Sequence, residues 1–436
     1  MSLLSIRKTW VDSRESGLSP VTQDELQATH ARVEILLGKE NITEHKSGQD
    51  KRSALEIPLY YLAEWLAENW WVLLFESQKG EDDDDPEFIA RHSIISAQHG
   101  FPLPALTLIP FGRSVRLNCR PRRAPFADVM FTRDAFGDVP TKQLQETLFT
   151  FIQDVDARLR KFKIENTNLQ LAAEGISNLR EEERVFCELL GALGLSPACA
   201  TEEVSTAVEE LFEILGPEAT RDYCFAARAD QILKVRAYAE QIRGRLPALR
   251  DANLEILLKS ELPPENLEAP SYRRGMQAAK NVREKLKINT KDERGADKVF
   301  EALDIDLSRF EANMLPNAVA LGGAIDRDGG RAKIALFQDG AAHRRFSAGR
   351  AAYLGWVSES RSRRLITNAV TRDQQASRQF AAEILVPQEY LKYLAKSSPN
   401  GTLGRDHVHE IAGLRGAMPD VALKQAYNAG IRVAAI

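Results

Sequence analysis

The chain has 436 residues, of which 44% are hydrophobic, and its formal net charge is -4. This size and apolar content support two or three domains with substantial cores. No apolar run approaches the ~18 residues of a membrane span, which excludes a predicted transmembrane helix and favours a cytoplasmic protein that does not engage a membrane.

Charge and cysteine usage add two constraints. Residues 331–436 contain 16 Lys and Arg against 8 Asp and Glu, a net charge of +8, so the rest of the chain carries -12. The four cysteines lie far apart and form no Cys-x-x-Cys motif. Such spacing favours isolated, reduced thiols.

Residues 1–165 predict an α+β domain of unknown role. Apolar residues at 33–37, followed by a Gly38 turn, predict two short strands. Pro58 predicts a helix over residues 59–75, since Pro is favoured at the first helical position. That helix carries an aromatic stripe typical of a core: Tyr60, Tyr61, Trp65, Trp70 and Trp71. A helix over residues 141–161 closes the domain.

Two polar features of this domain are weighed as metal sites. The acidic run at residues 81–85 favours a solvated loop over a calcium site, because no glycine-turned loop folds its carboxylates around an ion. His92 and His99 flank a short predicted helix at 88–98 and lie about 10 Å apart along its axis. That distance is too long for two ligands of one metal.

A basic hairpin follows. Residues 106–110 and 114–119 predict two strands, and residues 129–131 predict a third. Five arginines occupy this region and are candidates for nucleic-acid contact: Arg113, Arg116, Arg120, Arg122 and Arg123. Arginines in such a pattern bind phosphates, although a solvated strand face is the favoured alternative.

The remaining chain predicts a helical domain at 166–262, a Pro-rich linker and a third domain at 270–436. The third domain begins with predicted helices at 272–286 and 295–303, followed by strands at 318–325 and 332–337 around a loop at 326–330. Two helices, 345–356 and 375–387, come next. The end is predicted as helices at 388–395, 405–414 and 419–428 and a strand or tail at 431–433.

The third domain resembles the ImmA/IrrE-type metallopeptidases. Residues 345–356 read RFSAGRAAYLGW, and the family has RFT-x-A-HELGH there; residues 379–387 read QFAAEILVP, similar to the family's F-A-A-E-L-L-M-P. The preceding helix matches the family's entry helix at Tyr272, Gly275, Ala279, Arg283 and Leu286. The resemblance implies a zincin-like fold with a small sheet and a helical tail.

The residues that carry the family's chemistry are missing. A zincin helix places His at i and i+4 on one metal, with Glu as the base. Here Arg350, Ala351 and Leu354 stand at those positions, and Ala376 stands where the family has its third ligand. Arg stays protonated and offers no lone pair, so we expect no metal, no cofactor and no catalytic residue.

The resemblance implies a regulatory role, because intact members cut a repressor and release stress, mobile-element or phage-defence genes. The favoured hypothesis is an inactive pseudo-peptidase that binds another protein, such as a repressor, an effector or a complex subunit. The alternatives are a nucleic-acid or nucleotide sensor that uses the Arg-rich third domain, and a residual hydrolase.

The cleft left by the lost metal suggests an anion site. Guanidinium groups bind carboxylates and phosphates through paired hydrogen bonds. The candidates are Arg345 and Arg350 on the first helix and Arg361, Arg363 and Arg364 in the loop after it. The alternative is that Arg350 pairs with Glu383 and fills the cleft.

We predict that the purified protein binds no stoichiometric zinc at this helix pair. Three protein ligands are the usual minimum for catalytic zinc, and all three positions are lost. Elemental analysis after dialysis against zinc tests this expectation. About one zinc per chain, lost on substitution of residues beside Arg350, would contradict it.

Overall fold

The computed structural model describes residues 3–11, 23–79, 85–232, 240, 243–244, 250–310 and 321–434. It combines α-helices with several small, mainly antiparallel sheets, which confirms the α+β class. The chain divides into two compact units, Met1–Ser205 (unit 1) and Thr206–Ile436 (unit 2). The predicted boundaries near residues 165 and 262–270 stay predictions. No helix in the described ranges is long and apolar enough to cross a membrane.

Unit 1 is built on short antiparallel strands. They are β1 (Leu4–Trp10), β2 (His30–Leu37), β3 (Glu40–Asn41), β4 (His45–Ser47), β5 (Asp50–Arg52), β6 (Leu55–Pro58), β7 (Ala105–Pro110), β8 (Ser114–Arg120), β9 (Arg122–Arg123), β10 (Met130–Phe131) and β11 (Ala135–Pro140). One sheet has β2 paired with β1, β3 and β6; the others have the orders β5-β4-β10-β9 and β11-β8-β7. The predicted hairpin is confirmed as β7 and β8.

The helices of unit 1 cover these sheets. They are α1 (Asp24–Ala28), α2 (Tyr60–Glu68), α3 (Trp70–Phe75), α4 (Pro86–His92), α5 (Thr141–Lys161), α6 (Asn168–Ser177) and α7 (Glu181–Ala192), with short 3-10 helices at Ile94–Ala97 and Pro197–Cys199. The amphipathic α5 buries one apolar stripe that includes Leu148, Ile152 and Val155. This helix confirms the one predicted at residues 141–161.

Three predictions in unit 1 change. The helix predicted at 59–75 is two helices, α2 and α3, because the chain leaves helical geometry at Asn69, whose amide also donates to the Trp65 carbonyl. The helix predicted at 88–98 ends at His92, since Ser93 is extended and caps the following 3-10 helix. Of the predicted acidic loop, residues 81–84 lie outside the described part of the chain.

Unit 2 contains a four-stranded sheet and most of the longer helices. Its strands are β12 (Arg250–Asn253), β13 (Gly323–Asp328), β14 (Arg331–Leu336), β15 (Arg361–Ile366), β16 (Thr402–Gly404) and β17 (Arg432–Ala434). The first four form an antiparallel sheet in the order β12-β14-β13-β15, and β16 pairs with β17 in parallel.

Its helices follow the same chain order. They are α8 (Glu202–Leu215, which starts at the end of unit 1), α9 (Pro217–Ala226), α10 (Ala229–Ile232), α11 (Glu255–Leu258), α12 (Ser271–Lys285), α13 (Gly295–Ala302), α14 (Ala341–Val357), α15 (Arg372–Leu385), α16 (Gln388–Ser397), α17 (Arg405–Leu414) and α18 (Pro419–Asn428), with 3-10 helices at Leu307–Arg309 and Pro399–Gly401. The predicted helix pair is confirmed as α14 and α15, and the two predicted tail helices as α17 and α18.

Three sequence predictions for unit 2 are corrected. Residues 250–253, predicted as helical, form β12, because their register on β14 extends the sheet by one strand. The loop predicted to carry Arg361, Arg363 and Arg364 is β15, paired with β13. The strand predicted at 318–325 starts at Gly323 and runs on to Asp328; residues 318–320 lie outside the described chain.

One face of the four-stranded sheet is apolar and packs on α14. Ile325, Ile334 and Ile366 are fully or almost fully buried there. Gly355 of α14 comes so close that a Cβ on it would lie 2.6 Å from Ile325 Cδ1. The small residues of the predicted helix pair therefore serve close packing of helix on sheet.

Close backbone approach also joins α12 to α15. A Cβ on Gly275 of α12 would lie 2.0 Å from the carbonyl oxygen of Ala376 on α15, a distance that real contacts do not allow. Both residues are buried. The glycine of the entry-helix pattern is thus required by the packing of these two helices.

We predict that Gly275→Ala destabilises unit 2 by about 1–3 kcal/mol or more, because the added methyl meets backbone that cannot rotate away. The control is Gly175→Ala on α6, where a Cβ meets nothing within 4 Å. That change should stabilise its helix by roughly 0.5–1 kcal/mol. Urea unfolding of both variants measures the difference, and equal midpoints would contradict the packing argument.

Candidate functional site

The positions of the degenerate peptidase motif are buried in the core of unit 2. Ala351 and Leu354 are fully buried on α14, and Ala376 on α15 is 1% exposed. Arg350 projects between the two helices and is 7% exposed. No open cleft therefore remains at these four residues.

Three hydrogen bonds hold the Arg350 guanidinium. Its Nε donates to Ser377 Oγ at 3.1 Å, and its Nη2 donates at 2.6 Å both to Gln374 Oε1 and to the carbonyl oxygen of Thr367. Burial lowers the pKa of Arg350, and nearby Arg378 lowers it further, whereas the more distant Asp222 opposes the shift. The arginine thus occupies the place of the first histidine and is fixed by neutral oxygens.

Gln374 links this arginine to a buried ion pair. Its amide nitrogen donates to Asp222 Oδ1 at 3.2 Å and to the Leu365 carbonyl at 2.7 Å. Asp222, on α9, receives two bonds from Arg364, at 2.7 and 3.0 Å, and one from the Leu365 N–H at 3.0 Å. Burial disfavours charged Arg364, but the Asp222 carboxylate outweighs that effect and raises the pKa of Arg364.

These residues do not fit a zinc ion. Catalytic zinc needs nitrogen, sulfur or carboxylate ligands that converge on one point. Among the described residues, no three His, Cys, Asp or Glu side chains are grouped so that they could hold a metal. Arg350, which fills the position, has only donors to offer. No reaction step through a metal is derived for this helix pair.

The predicted alternative pairing of Arg350 with Glu383 is wrong. Glu383 is fully buried and accepts a bond of 2.9 Å from Arg283 of α12. Its other oxygen accepts bonds from the Gln388 N–H at 3.1 Å and from the Gln425 amide at 3.0 Å. Burial raises the pKa of Glu383, although Arg283 opposes the shift. This cluster ties α12, α15 and α18 together, so its role is structural.

The five arginines proposed for the cleft are not brought together. Arg345 binds Asp297 and lies over the ring of Phe300. Arg364 belongs to the buried ion pair with Asp222, whereas Arg361 is 88% exposed and lies 3.5 Å from Asp328. Position along β15 explains the split, because successive side chains of a strand point to opposite faces.

An open groove lies on the other face of the sheet. It has a volume of about 830 Å³, with a floor formed by β12, β14, β13 and β15 and a wall formed by residues 213–218. Arg363 joins floor to wall: its guanidinium donates to the carbonyls of Ile214 and Leu215 and to Asp326 at 2.8 Å. We call this feature the charged groove.

The groove floor is a ladder of alternating charge. Cross-strand register places Asp251, Lys333, Asp326 and Arg363 in one row across the four strands. A second row contains Arg331, Asp328 and Arg361. Opposite charges on facing strands stabilise a sheet by roughly 0.2–1 kcal/mol per pair. The same groups present fixed positive and negative charges to anything that enters the groove.

The outer edge of β15 is partly free. Leu365 directs its N–H to Asp222 and its carbonyl to Gln374, away from β13. In an antiparallel pair, alternate residues direct their backbone groups to the same side. The backbone groups of Arg363 and Arg361 therefore point along this outer edge, beside the groove.

In unit 1, the five arginines of the basic hairpin have different surroundings. Arg116 pairs with Asp138 at 2.8 Å and lies over the Phe111 ring, and Arg122 donates to the Leu103 carbonyl. Arg123 is 75% exposed and lies 3.5 Å from Asp128. Arg113 and Arg120 are exposed. The hairpin thus keeps part of its charge available to solvent.

Sequence reasoning missed Asp222, Gln374 and the charged ladder. Asp222 lies 142 residues before its partner Arg364, within a stretch that has no motif. The ladder did leave a signal, since Asp326-Arg327-Asp328 and Arg361-Ser362-Arg363 alternate polar side chains as exposed strands do.

Comparison of the chain with protein-family models, with curated proteins and with solved structures finds no match.

We predict that Asp222→Asn destabilises unit 2 by about 3–5 kcal/mol, because it leaves a buried guanidinium without its counter-charge. The control is Asp328→Asn, which removes a carboxylate that is 84% exposed and 3.5 Å from Arg361. Such a surface pair contributes about 0–1 kcal/mol. Denaturant unfolding compares the two variants. Similar losses in both would contradict the central role of Asp222.

Proposed function

We propose that this chain is a non-catalytic protein with an ImmA/IrrE-like fold at residues 270–436, and that it acts by binding a partner protein. The observation that carries the proposal is the buried guanidinium of Arg350, held by Ser377, Gln374 and Thr367 where the family has its first histidine. A peptidase of this type activates water on a metal, and that position is filled here by a group that repels cations. A role in stress response, mobile-element control or phage defence belongs to the same proposal.

The charged groove supports binding as the retained function. Its volume lies in the range of ligand sites, but such sites are mostly apolar, whereas this one is lined by both signs of charge. Mixed charge suits a peptide segment, because side chains of both signs then find counter-charges at strand spacing. The free edge of β15 at Arg361 and Arg363 supplies backbone donors and acceptors for an added strand.

The second candidate, recognition of nucleic acid through the arginines of unit 2, has narrower support. The net charge of +8 in residues 331–436 favours it. However, Arg345, Arg350, Arg363 and Arg364 all bind internal acceptors. Only Arg361 of that set is largely exposed, so a peptide of mixed charge fits the groove better than a polyanion does.

The proposal is tested by selecting ligands from a phage library of random peptides of about 12 residues on the full-length protein. Enriched peptides are then synthesised and measured by fluorescence anisotropy. We expect them to carry both acidic and basic residues. The double variant Arg361→Gln/Asp328→Asn should bind them about tenfold more weakly, a difference of about 1.4 kcal/mol.

The matched control is Arg180→Gln/Glu183→Gln, which neutralises an exposed ion pair on α7 in unit 1. This variant should bind the selected peptides like the native protein. Absence of any enriched peptide, or equal affinity for both double variants, would refute binding in the charged groove. Cleavage of a selected peptide, abolished by substitution of groove or core residues, would instead favour a hydrolase.

A further inference from the structure

A row of cations crosses the sheet β5-β4-β10-β9 in unit 1. Cross-strand register places Arg123, Met130, Lys46 and Lys51 side by side on one face. All four are exposed. We call them the basic row. Together the four strands carry five Lys and Arg against a single Asp.

The basic row is only partly neutralised by its own protein. Lys51 lies 3.1 Å from Glu44, but Arg133 shares that carboxylate at 2.8 Å. The hydrogen bond from Arg133 is the main cause that lowers the pKa of Glu44 to about 2. Lys46 forms no ion pair within the described residues, although it stands directly opposite Lys51. Like charges facing each other destabilise a sheet, so this arrangement favours an anionic ligand.

An exposed aromatic residue lies on the adjoining sheet. Phe136 of β11 is 79% exposed, and its register places it in one row with Asn118 of β8 and Thr107 of β7. An aromatic ring this exposed gains nothing from the core of the protein. A ring flanked by an amide and a hydroxyl offers both a stacking surface and hydrogen-bonding groups.

The two rows belong to one continuous pair of strands. β8 ends at Arg120 and β9 begins two residues later; β10 ends at Phe131 and β11 begins four residues later. Register continues from Cys119 opposite Ala135 to Arg122 opposite Phe131. The exposed Arg120 lies between the two rows in sequence.

We propose that this surface of unit 1 binds single-stranded nucleic acid. The basic row and Arg120 contact phosphates, Phe136 stacks on a base, and Asn118 and Thr107 meet base edges. Cations that follow the backbone, combined with aromatic rings that accept any base, characterise proteins that bind single strands. The surface is distinct from the charged groove, so the proposal does not depend on the function proposed for unit 2.

The exposed Phe136 decides between anionic partners. In a duplex the bases are stacked on each other and cannot lie on a sheet-borne ring, and the basic row would then contact phosphates alone. An acidic peptide or an anionic lipid surface uses the cations but gains little from a ring beside Asn118. A single strand engages the cations and Phe136 together.

The test uses the full-length protein and labelled single strands of about 15 nucleotides, the length that one such surface accommodates. Anisotropy is measured between about 50 and 200 mM salt. Matched duplex and poly-glutamate are the competing probes. We expect affinity in the order single strand, duplex, poly-glutamate, with a falling log–log salt dependence.

Two variants separate the contributions. Lys46→Gln/Arg123→Gln should weaken single-strand binding about 25-fold at 0.1 M salt and reduce the salt slope by about 1.4, the value for two lost phosphate contacts. Phe136→Ala should weaken binding about 5- to 150-fold, as expected for one base stack, with an unchanged slope. The Phe136 ring is exposed, so the fold should tolerate its removal, which thermal unfolding checks.

The controls carry matched changes elsewhere in unit 1. Lys161→Gln/Arg184→Gln removes two exposed cations from α5 and α7, and Leu171→Ala removes an exposed apolar side chain from α6. Both should bind like the native protein. Failure of single strands to bind at the lowest salt overturns the proposal. So does equal binding of poly-glutamate that Phe136→Ala leaves unchanged, which would assign the surface to an acidic partner.

Discussion

The Asp222 carboxylate connects the elements on which unit 2 depends. From α9 it binds the side chain of Arg364, the backbone of Leu365 and the amide of Gln374. These bonds fix the edge strand β15 to α9 on one side and to α15 on the other. A buried ion pair costs much desolvation, and this one recovers it through four hydrogen bonds to a single carboxylate. Its geometry specifies how the helices meet the sheet.

A buried arginine at position 350 is compatible with this network because its partners are already oriented. Gln374 directs its nitrogen to Asp222 and Leu365, so its oxygen can accept only from the opposite side, where Arg350 lies. Ser377 in turn donates to the carbonyl of Gln374 and accepts from Arg350. The cation therefore meets oriented oxygens, which partly replace its lost hydration.

The sequence was informative where structure is local. Periodicity and capping predicted α5, α17 and α18, and alternation predicted the β7–β8 hairpin, because these patterns need only neighbouring residues. It failed at Asn69, where one side chain ends a helix, and at β12, whose strand character comes from pairing with β14. An isolated segment of four residues contains no signal for a partner some eighty residues away.

The candidate site was predictable to a similar extent. The loss of ligand chemistry at Arg350, Ala351 and Leu354 follows from residue types alone, since no fold gives a guanidinium a free lone pair. The partners of these residues did not follow. Glu383 pairs with Arg283, 100 residues away, because α12 and α15 pack closely at Gly275. Pairing between charges distant in sequence depends on packing that no motif describes.

The two faces of the four-stranded sheet are mechanically connected through β15. Arg364 points into the buried network, while its neighbour Arg363 points into the charged groove and holds the wall at Ile214 and Leu215. A shift of β15 relative to Asp222 would therefore move the groove wall as well. Ligand binding that pulls on Arg363 is opposed by the buried ion pair next to it. The residues that replaced the catalytic machinery thus keep the groove in one shape, and a preformed groove binds a peptide at lower entropic cost.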